Sequence, residues 1–411
     1  MPASAHVLPS SPLLRQAVHQ PDTARTTGPI SRAGGGTRAD AEPLAPAGKP
    51  ETVVLAGIPK GSADEIVEDG VRRAALATTD FSWLSRGDTV LIKVVCNSGN
   101  PYPFTTDPVA LRAMIGLLRE QGAGRIVVAD MSGVQVVRFG KDKLTGSTRE
   151  LMTRNSLART AEDAGAEVHA FEEQGWDAFH EESPSVDGHW TAPVMMPDIL
   201  EQADHVILMP RCARHVLAGS TLGLKAAVGW WRHDSRLVYH KDGASLPQKT
   251  AEANAVPSLL EKQRLVLSSA TEIVTSFGPD NGWIVKPETG LIISSEKVVP
   301  HDMISLAWLI EGRRMTPAKR RDGLAADPHT SQAVVGFINR VVCKFLGGIG
   351  EMFGGSAPPS IKLDAIWDDR VLRRGFDVLG GVPKLDVENA VGPIPAELLS
   401  TLQSAVQRPE A

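Results

Sequence analysis

The segment Asp88 to Gly133 constrains the fold of this chain more than any other stretch. It holds a nearly continuous apolar run, Asp88 to Val95, and a second apolar run, Arg125 to Asp130. A helix is predicted between them over Val109 to Gln121, because an N-cap residue and a proline precede it. Apolar runs of this kind are typical of parallel strands that are covered on both faces. The segment therefore predicts a βαβ unit with a right-handed crossover.

Strand-like and helix-like stretches alternate through much of the remaining chain. Further strands are predicted at Thr52 to Ile58, Glu167 to Phe171 and Val206 to Met209, and helices at Ser62 to Ala77 and Ser147 to Gly165. The first of these helices begins with a capping-box pattern. This alternation predicts an α/β protein with a mostly parallel, Rossmann-like sheet, or sheets, flanked by helices. An arrangement in two lobes with a cleft between them is one form of that class.

Composition divides the chain into three parts. Residues 1–50 are rich in Ala, Pro, Gly, Ser and Thr, which predicts a disordered tail, with an organelle transit sequence as the alternative. Residues 51–311 are predicted to form the main α/β domain. Residues 312–411 are predicted to be a helical and irregular extension that packs on it.

Charge and composition exclude several classes of protein. A formal net charge of -5 argues against a general nucleic-acid binder. Apolar runs fall well short of the roughly 20 residues that a membrane span requires. The cysteines Cys96, Cys212 and Cys343 lie far apart, so a zinc ribbon or a ferredoxin-type cluster cannot form locally. We therefore expect a cytoplasmic protein without membrane or nucleic-acid partners.

Polar residues follow the predicted strands where each strand ends. Ligands of open parallel sheets bind outside the carboxyl ends of the strands. The first strand of the βαβ unit leads to Lys93 and Asn97, and the second leads to Asp130 and Ser132. We expect these four residues to bind a small anion. As alternatives, Lys93 extends to solvent from a strand edge and Asp130 caps the next turn.

The stretch Asp204 to His240 supplies most of the remaining candidates. Its predicted strand leads into a loop with Arg211, Arg214 and His215, followed by a helix predicted to start at Gly219-Ser220-Thr221. The amino terminus of that helix favours an anion, which we expect Arg211 and Arg214 to bind. His215 is predicted to be an acid/base catalyst.

The predicted helix carries Lys225, which we expect to share the catalytic site. The alternative is an ordinary amphipathic helix with Lys225 at the surface. Arg232, Arg236 and His240 follow beside two tryptophans, which predicts a partly enclosed anion site, with a solvated basic face as the alternative. For the turn at Asp280 to Gly282, a structural role is predicted ahead of a role in the site.

These residues predict an enzyme that acts on a small carboxylate- or phosphate-bearing substrate or cofactor. A non-catalytic protein that carries a cofactor, metal or phosphorylated ligand is the alternative. A third hypothesis is an interaction protein that docks through Gln174 to Trp190 and Gly347 to Pro359. The residues specify neither the cofactor, nor a metal, nor the oligomeric state.

Four motifs together resemble the family called domain of unknown function 362. They are Leu91-Ile92-Lys93, Thr105 to Pro108, Val127 to Gly133 and the Asp204 to Gly229 stretch, and the resemblance covers roughly Val53 to Leu309. Family members carry Lys-Pro-Asn where this chain has Lys93-Val94-Val95, and Pro-Lys-x-Lys-Thr-His where it has residues 210–215. Many members are iron–sulfur proteins. This chain lacks their cysteine segment, so a cluster of its own is not expected.

A fainter likeness extends to the nickel-pincer-dependent lactate racemases. Their His-x-x-Ala-Gly element and following lysine are similar to His215 to Gly219 and Lys225. Their Gly-Thr-His motif is replaced here by Met131-Ser132-Gly133. The likeness implies a related fold and hydride or proton chemistry of an isomerase or oxidoreductase kind.

Overall fold

Strands of one large sheet and three smaller ones form the framework of the chain in a computed structural model that describes residues 50–408. The tail predicted over residues 1–50 lies outside the described residues except for its last position. The strands are β1 (Glu51–Pro59), β2 (Thr89–Lys93), β3 (Arg125–Asp130), β4 (Arg138–Phe139), β5 (Leu144–Thr145), β6 (Glu167–Ala170), β7 (Phe179–Glu182), β8 (Val194–Pro197), β9 (His205–Leu208), β10 (Ala213–His215), β11 (Gly219–Thr221), β12 (Gln263–Ala270), β13 (Ile273–Val274), β14 (Ile284–Val285), β15 (Thr289–Ser295) and β16 (Leu385–Val391).

Helices connect most of these strands. They are α1 (Asp64–Thr78), α2 (Pro108–Glu120), α3 (Thr148–Arg154), α4 (Leu157–Asp163), α5 (Ile199–Gln202), α6 (Gly223–Ala226), α7 (His233–Lys241), α8 (Leu246–Glu252), α9 (Pro257–Lys262), α10 (Val298–Arg314), α11 (Ala318–Arg321), α12 (Gln332–Gly347), α13 (Arg370–Val378) and α14 (Ala396–Ala405). A 3-10 turn at Ala227–Trp230 continues α6.

The large sheet has the strand order β16-β1-β15-β12-β9-β2-β3-β6. Strand β15 runs antiparallel to both of its neighbours, and the other adjacent pairs are parallel. Five contiguous strands, β12, β9, β2, β3 and β6, therefore present their carboxyl ends at one edge. The predicted α/β class with a mostly parallel sheet is confirmed.

The βαβ unit forms as its sequence predicts. The Asp107 carboxylate accepts a hydrogen bond from the Val109 amide at 2.9 Å and caps α2. In β2, Val90 and Ile92 pack into the core that α1 and α2 cover, while Leu91 packs on the opposite face with Val206. Apolar side chains on both faces explain the unbroken apolar run.

Two local predictions differ from the structure. The capping box does not form, because Ser62 Oγ donates to the Pro59 carbonyl at 2.7 Å and α1 has no side-chain cap. The single helix predicted over Ser147 to Gly165 is two helices. Ser156 has a φ of 71°, which ends the helical path between α3 and α4.

Residues beyond the carboxyl ends of β9 and β12 form a second sheet with the order β11-β10-β13-β14. Strands β10 and β11 are an antiparallel hairpin, in which His215 pairs with Gly219. Within the predicted C-terminal extension, β16 joins the large sheet beside β1. Its longest helix, α12, lies against α7 and contributes Val335 and Val342 to a cluster with Val216 and Leu217.

None of the helices between residues 50 and 408 combines the length and the apolar character needed to cross a membrane.

Candidate functional site

The ends of β2 and β3 bring Lys93 and Asp130 into contact. The Lys93 ammonium lies 2.6 Å from Asp130 Oδ1 and donates to the Val94 carbonyl at 2.8 Å. The other carboxylate oxygen accepts from the Cys96 amide at 2.6 Å. Both side chains are buried, and burial lowers the pKa of Lys93 against the opposing effect of Asp130. The two charges thus compensate each other, and both residues line a cleft.

The 3-10 turn after α6 closes over this pair. A Cβ at Gly229 would lie 2.4 Å from both Asp130 Oδ1 and Lys93 Nζ, so only glycine permits this approach. The Trp230 ring centroid lies 5.4 Å from Lys93 Nζ. The turn therefore fixes the ion pair from one side.

His215 lies at the end of β10, and its ring lines the same cleft. Its Nδ1 accepts hydrogen bonds from the amides of Leu217 at 3.0 Å and Ala218 at 3.2 Å. An amide N–H can only donate, so Nδ1 carries the lone pair and the neutral ring carries its proton on Nε2. Burial, with Lys225 and Arg211 nearby, lowers the pKa of His215 well below its usual value. The ring can thus donate a hydrogen bond through Nε2, and its role as an acid/base catalyst stays a prediction.

The predicted helix start at Gly219-Ser220-Thr221 is wrong, since these residues form β11. Gly219 has a φ of +85°, which suits the hairpin turn. Helix α6 begins only at Gly223, and the Gly223 and Leu224 amides donate to the Asp302 carboxylate at 2.8 and 2.7 Å. The predicted anion site at a helix amino terminus is therefore occupied by a carboxylate of the chain itself.

Lys225, on α6, lines the cleft beside His215. Within residues 50–408 its ammonium has no hydrogen-bond acceptor or acidic partner, and it lies 5.9 Å from the Tyr239 ring centroid. Burial lowers the pKa of Lys225 to about 7, and the charges of Arg236, Arg211 and Lys93 act in the same direction. Lys225 is therefore a cation whose charge lacks compensation.

The cleft encloses about 110 Å³, enough for a ligand larger than a single water. Its polar lining includes Lys93, Asn97, Asp130, His215, Lys225, Arg236, His240 and Asp280. Helix α12 supplies an apolar wall from Ile338, Val342 and Leu346. Because α12 lies more than 90 residues after α7, the cleft is assembled from residues far apart in the sequence.

Four predicted anion-binding residues are absent from this lining. Arg214 donates to Asp327, at 2.9 to 3.2 Å, and to the Gly219 and Ile361 carbonyls. Ser132 is buried, with its hydroxyl donating to the Cys96 carbonyl and its amide to Thr148 Oγ1. Arg232 pairs with Asp234 and stacks on Trp176. The structure thus places these three residues outside the cleft, with neighbouring groups as their hydrogen-bond partners, and their role in anion binding stays a prediction.

Arg211, the fourth residue, is buried below the cleft. It donates to the Phe104 carbonyl through Nη1, while its Nε and Nη2 have no partner within the described residues. Burial raises the pKa of Asp280, and Arg211 opposes that effect. Asp280 lines the cleft although its turn motif predicts a structural role. Its turn joins β13 and β14, and β13 pairs with β10, which ends at His215. A local motif does not encode this pairing.

Arg236 and His240 lie on α7 and line the cleft. Arg236 donates to the carbonyls of Trp231, Ser132 and Met131 at 2.5 to 2.9 Å. Its contacts are thus with backbone, although its charge faces the cleft. Asn97 also lines the cleft, and its side chain forms no hydrogen bond within residues 50–408.

The described residues do not supply the donors of a metal centre. Between positions 50 and 408, no group of three or more His, Cys, Asp or Glu side chains is placed to hold a metal ion. The three cysteines are buried and separate, and burial raises the pKa of the Cys96 thiol to about 12. An iron–sulfur cluster of the kind that the family resemblance implies does not fit these residues.

A mostly parallel α/β fold with a cationic cleft at its carboxyl edge is the class that this geometry defines. A profile of the family described as Domain of unknown function (DUF362) matches residues 90–307, more than half of the 411-residue chain. The chain belongs to this family, as its motifs predict. The match includes Lys93, Asp130, His215 and Lys225, and it ends before α12.

Two solved structures resemble parts of the chain. The lactate racemase apoprotein from Thermoanaerobacterium thermosaccharolyticum is 13% identical, with a TM-score of 0.36 over 53% of this chain and 50% of that one. A protein from Thermotoga maritima is 10% identical, with a TM-score of 0.32 over 53% of each chain. The chain spans about half the length of each, and neither assigns it an activity. No protein of curated function matches the sequence.

Proposed function

We propose that the cleft binds a small anion, either a carboxylate or a phosphate group, with Lys225 as its counter-ion. One observation carries the proposal: the Lys225 ammonium faces a partly enclosed cleft without an acceptor in the described chain. A largely enclosed charge of this kind is costly unless it is paired. A bound anion supplies the missing partner.

The neighbouring charges favour an anion over a cation. Arg211 and Arg236 both act to lower the pKa of Lys225, so they make the potential near its ammonium positive. Lys93 adds to this effect, although Asp130 compensates most of its charge. Besides Asp130, which pairs with Lys93, the lining holds the carboxyl group of Asp280, and burial favours its neutral form by raising its pKa.

His215 complements this arrangement as a neutral donor. Its Nε2–H has no partner between residues 50 and 408, and its ring shares the cleft with Lys225. An oxygen of the ligand would accept from His215 while a second oxygen pairs with Lys225. A neutral imidazole that donates to an oxygen can stabilise negative charge that develops there. This chemistry fits an isomerase or an oxidoreductase that acts on an oxygen-bearing anion.

Calorimetric titration with acetate and with sulfate tests the proposal. Acetate represents carboxylates and sulfate represents phosphates, and both keep a constant charge between pH 6 and 9. Binding raises the pKa of Lys225, so the complex should take up nearly one proton at pH 8 and little at pH 6. Titrations in buffers of different ionisation enthalpy measure that uptake.

Two variants make the titration specific. Lys225→Met should lose both the binding and the proton uptake. Lys241→Met removes a lysine whose side chain is half-exposed, and should retain both. The proposal fails if neither anion binds to the native chain, or if Lys225→Met binds as the native chain does.

A carrier without catalysis remains the second candidate, because the cleft could hold a cofactor by the same contacts. Mass spectrometry and an optical spectrum of the chain purified from its host separate the two. A small molecule that leaves chemically unchanged after incubation favours the carrier. We also propose a cytoplasmic location, which the unpaired Cys96, Cys212 and Cys343 support.

A further inference from the structure

His240 and Asn339 make two reciprocal hydrogen bonds between α7 and α12. The ring Nδ1 of His240 lies 2.8 Å from the Asn339 side-chain oxygen. The Asn339 side-chain nitrogen donates to the His240 backbone carbonyl at 2.8 Å. Asn339 is buried, at 2% exposure, and His240 lines the cleft.

These contacts determine where the His240 ring carries its proton. A backbone carbonyl can only accept, so the nitrogen of the Asn339 amide must face it. The oxygen of that amide therefore faces Nδ1 and must receive a hydrogen from it. Burial lowers the pKa of His240 to about 3, so the ring is neutral near pH 7. The neutral ring then has its proton on Nδ1 and its lone pair on Nε2.

The tautomer of His240 is thus the opposite of the tautomer of His215. His215 presents an N–H to the cleft, because backbone amides occupy its Nδ1. His240 presents a lone pair, because Asn339 occupies its Nδ1. Neither Nε2 atom has a hydrogen-bond partner in residues 50–408. Lys225 and Arg236 are the charged groups that lower the pKa of His240, and its Nδ1 bonds to neither of them but to Asn339.

We propose that His240 is a hydrogen-bond acceptor in the cleft and that Asn339 is the positioning residue that keeps its Nε2 lone pair available. The proposal rests on the anion site described above and narrows its ligand class. The ligand would be an anion that also carries a hydroxyl or amino group, which donates to His240. The Asn339 contact comes from α12, which lies outside the segment that matches the family.

Nitrogen NMR tests the tautomers without any ligand. Long-range ¹H–¹⁵N correlation spectra of the labelled chain at pH 7 distinguish Nδ1–H from Nε2–H rings, and His240→Gln and His215→Gln assign the signals. We expect Nδ1–H for His240 and Nε2–H for His215. An Nε2–H ring at His240, or a mixture of its tautomers, overturns the proposal.

Variants at Asn339 separate positioning from a general structural role. Asn339→Asp keeps the acceptor and should retain the Nδ1–H tautomer of His240. Asn339→Leu removes the acceptor and should give a mixture of both tautomers. The proposal is wrong if the leucine variant, folded by its amide spectrum, keeps the native tautomer.

Selectivity between acetate and glycolate, which differ by one hydroxyl group, tests the ligand class. The native chain should bind glycolate about five- to tenfold more tightly, as expected for one further hydrogen bond. Asn339→Leu should lose this preference, so its affinities for glycolate and acetate should be about equal. Equal affinities in the native chain would overturn the ligand class. Failure of both ligands to bind would refute the anion site, while the tautomer measurement still tests the roles of His240 and Asn339.

Discussion

The ammonium of Lys93 lies 2.6 Å from the carboxylate of Asp130, and each residue ends one of two adjacent parallel strands. Their side chains are 1% and 3% exposed, so water does not compensate either charge. Removal of one partner leaves a buried charge without compensation, which is more costly than the pair itself.

We therefore expect Lys93→Met and Asp130→Asn each to lower the free energy of unfolding by about 3 kcal/mol. The double variant should cost clearly less than the sum of the two, because no uncompensated charge remains. Urea denaturation of the four proteins measures this coupling. Arg112→Met, which breaks an ion pair that is 48% exposed on the arginine side, should cost less than about 1 kcal/mol. Additive effects of the two single variants would contradict a coupled pair.

Gly229 provides a second test at the same place. An added Cβ would lie 2.4 Å from atoms of both Lys93 and Asp130, so Gly229→Ala must displace the pair. We expect a loss of about 1–3 kcal/mol in unfolding free energy and weaker acetate binding. Gly116→Ala is the matched control, because its Cβ, on α2, would meet no atom within 4 Å. That control should stabilise the chain by up to about 1 kcal/mol, as alanine favours a helix interior. Equal effects of the two substitutions would show that Gly229 is not sterically required.

The βαβ unit could be predicted from the sequence because its signals are local. The apolar run that ends at Lys93, the N-cap Asp107 and the strand that ends at Asp130 each depend on neighbouring residues. The meeting of Lys93 and Asp130 then follows from the parallel order of their strands. Most of the large sheet could be anticipated in this way.

The individual contacts of the site could not be predicted, since they join distant segments. Arg214 pairs with Asp327, which is 113 positions away in sequence. The position of Lys225 depends on a hairpin that resembles a helix start and on the distant Asp302. Asn339 reaches His240 across 99 positions. Residue type and spacing indicate which groups are cationic, and they do not reveal which donors other groups already use.

From its contacts in the structure, we expect Arg214 to stabilise the fold without contacting a ligand. Its guanidinium bonds to Asp327 and to two carbonyls, and it does not line the cleft. Arg214→Met should lower the unfolding free energy by about 3–5 kcal/mol and leave the acetate affinity of the folded protein within about twofold. Arg321→Met removes a pair with Asp322 whose side chains are 34% and 60% exposed, and should change stability little. Loss of acetate binding by folded Arg214→Met would place this residue in the site after all.

The pH dependence of stability provides a test of Lys225 that needs no ligand. Burial lowers its pKa to about 7 in the folded chain, against 10.5 ordinarily. Below pH 7 the lysine is charged in both states, so the folded state bears the full cost of the buried charge. Between pH 7 and 10.5 only the unfolded state holds the proton, and this cost falls as the pH rises.

Lys225→Met removes the cost, so it should stabilise the chain by about 2–4 kcal/mol at pH 6 and progressively less towards pH 10. Urea denaturation across this range measures the difference from the native chain, and Lys241→Met should show no such trend because its side chain is 51% exposed. A gain from Lys225→Met that stays constant with pH would mean that the lysine keeps an ordinary pKa, and its charge would then need no anion.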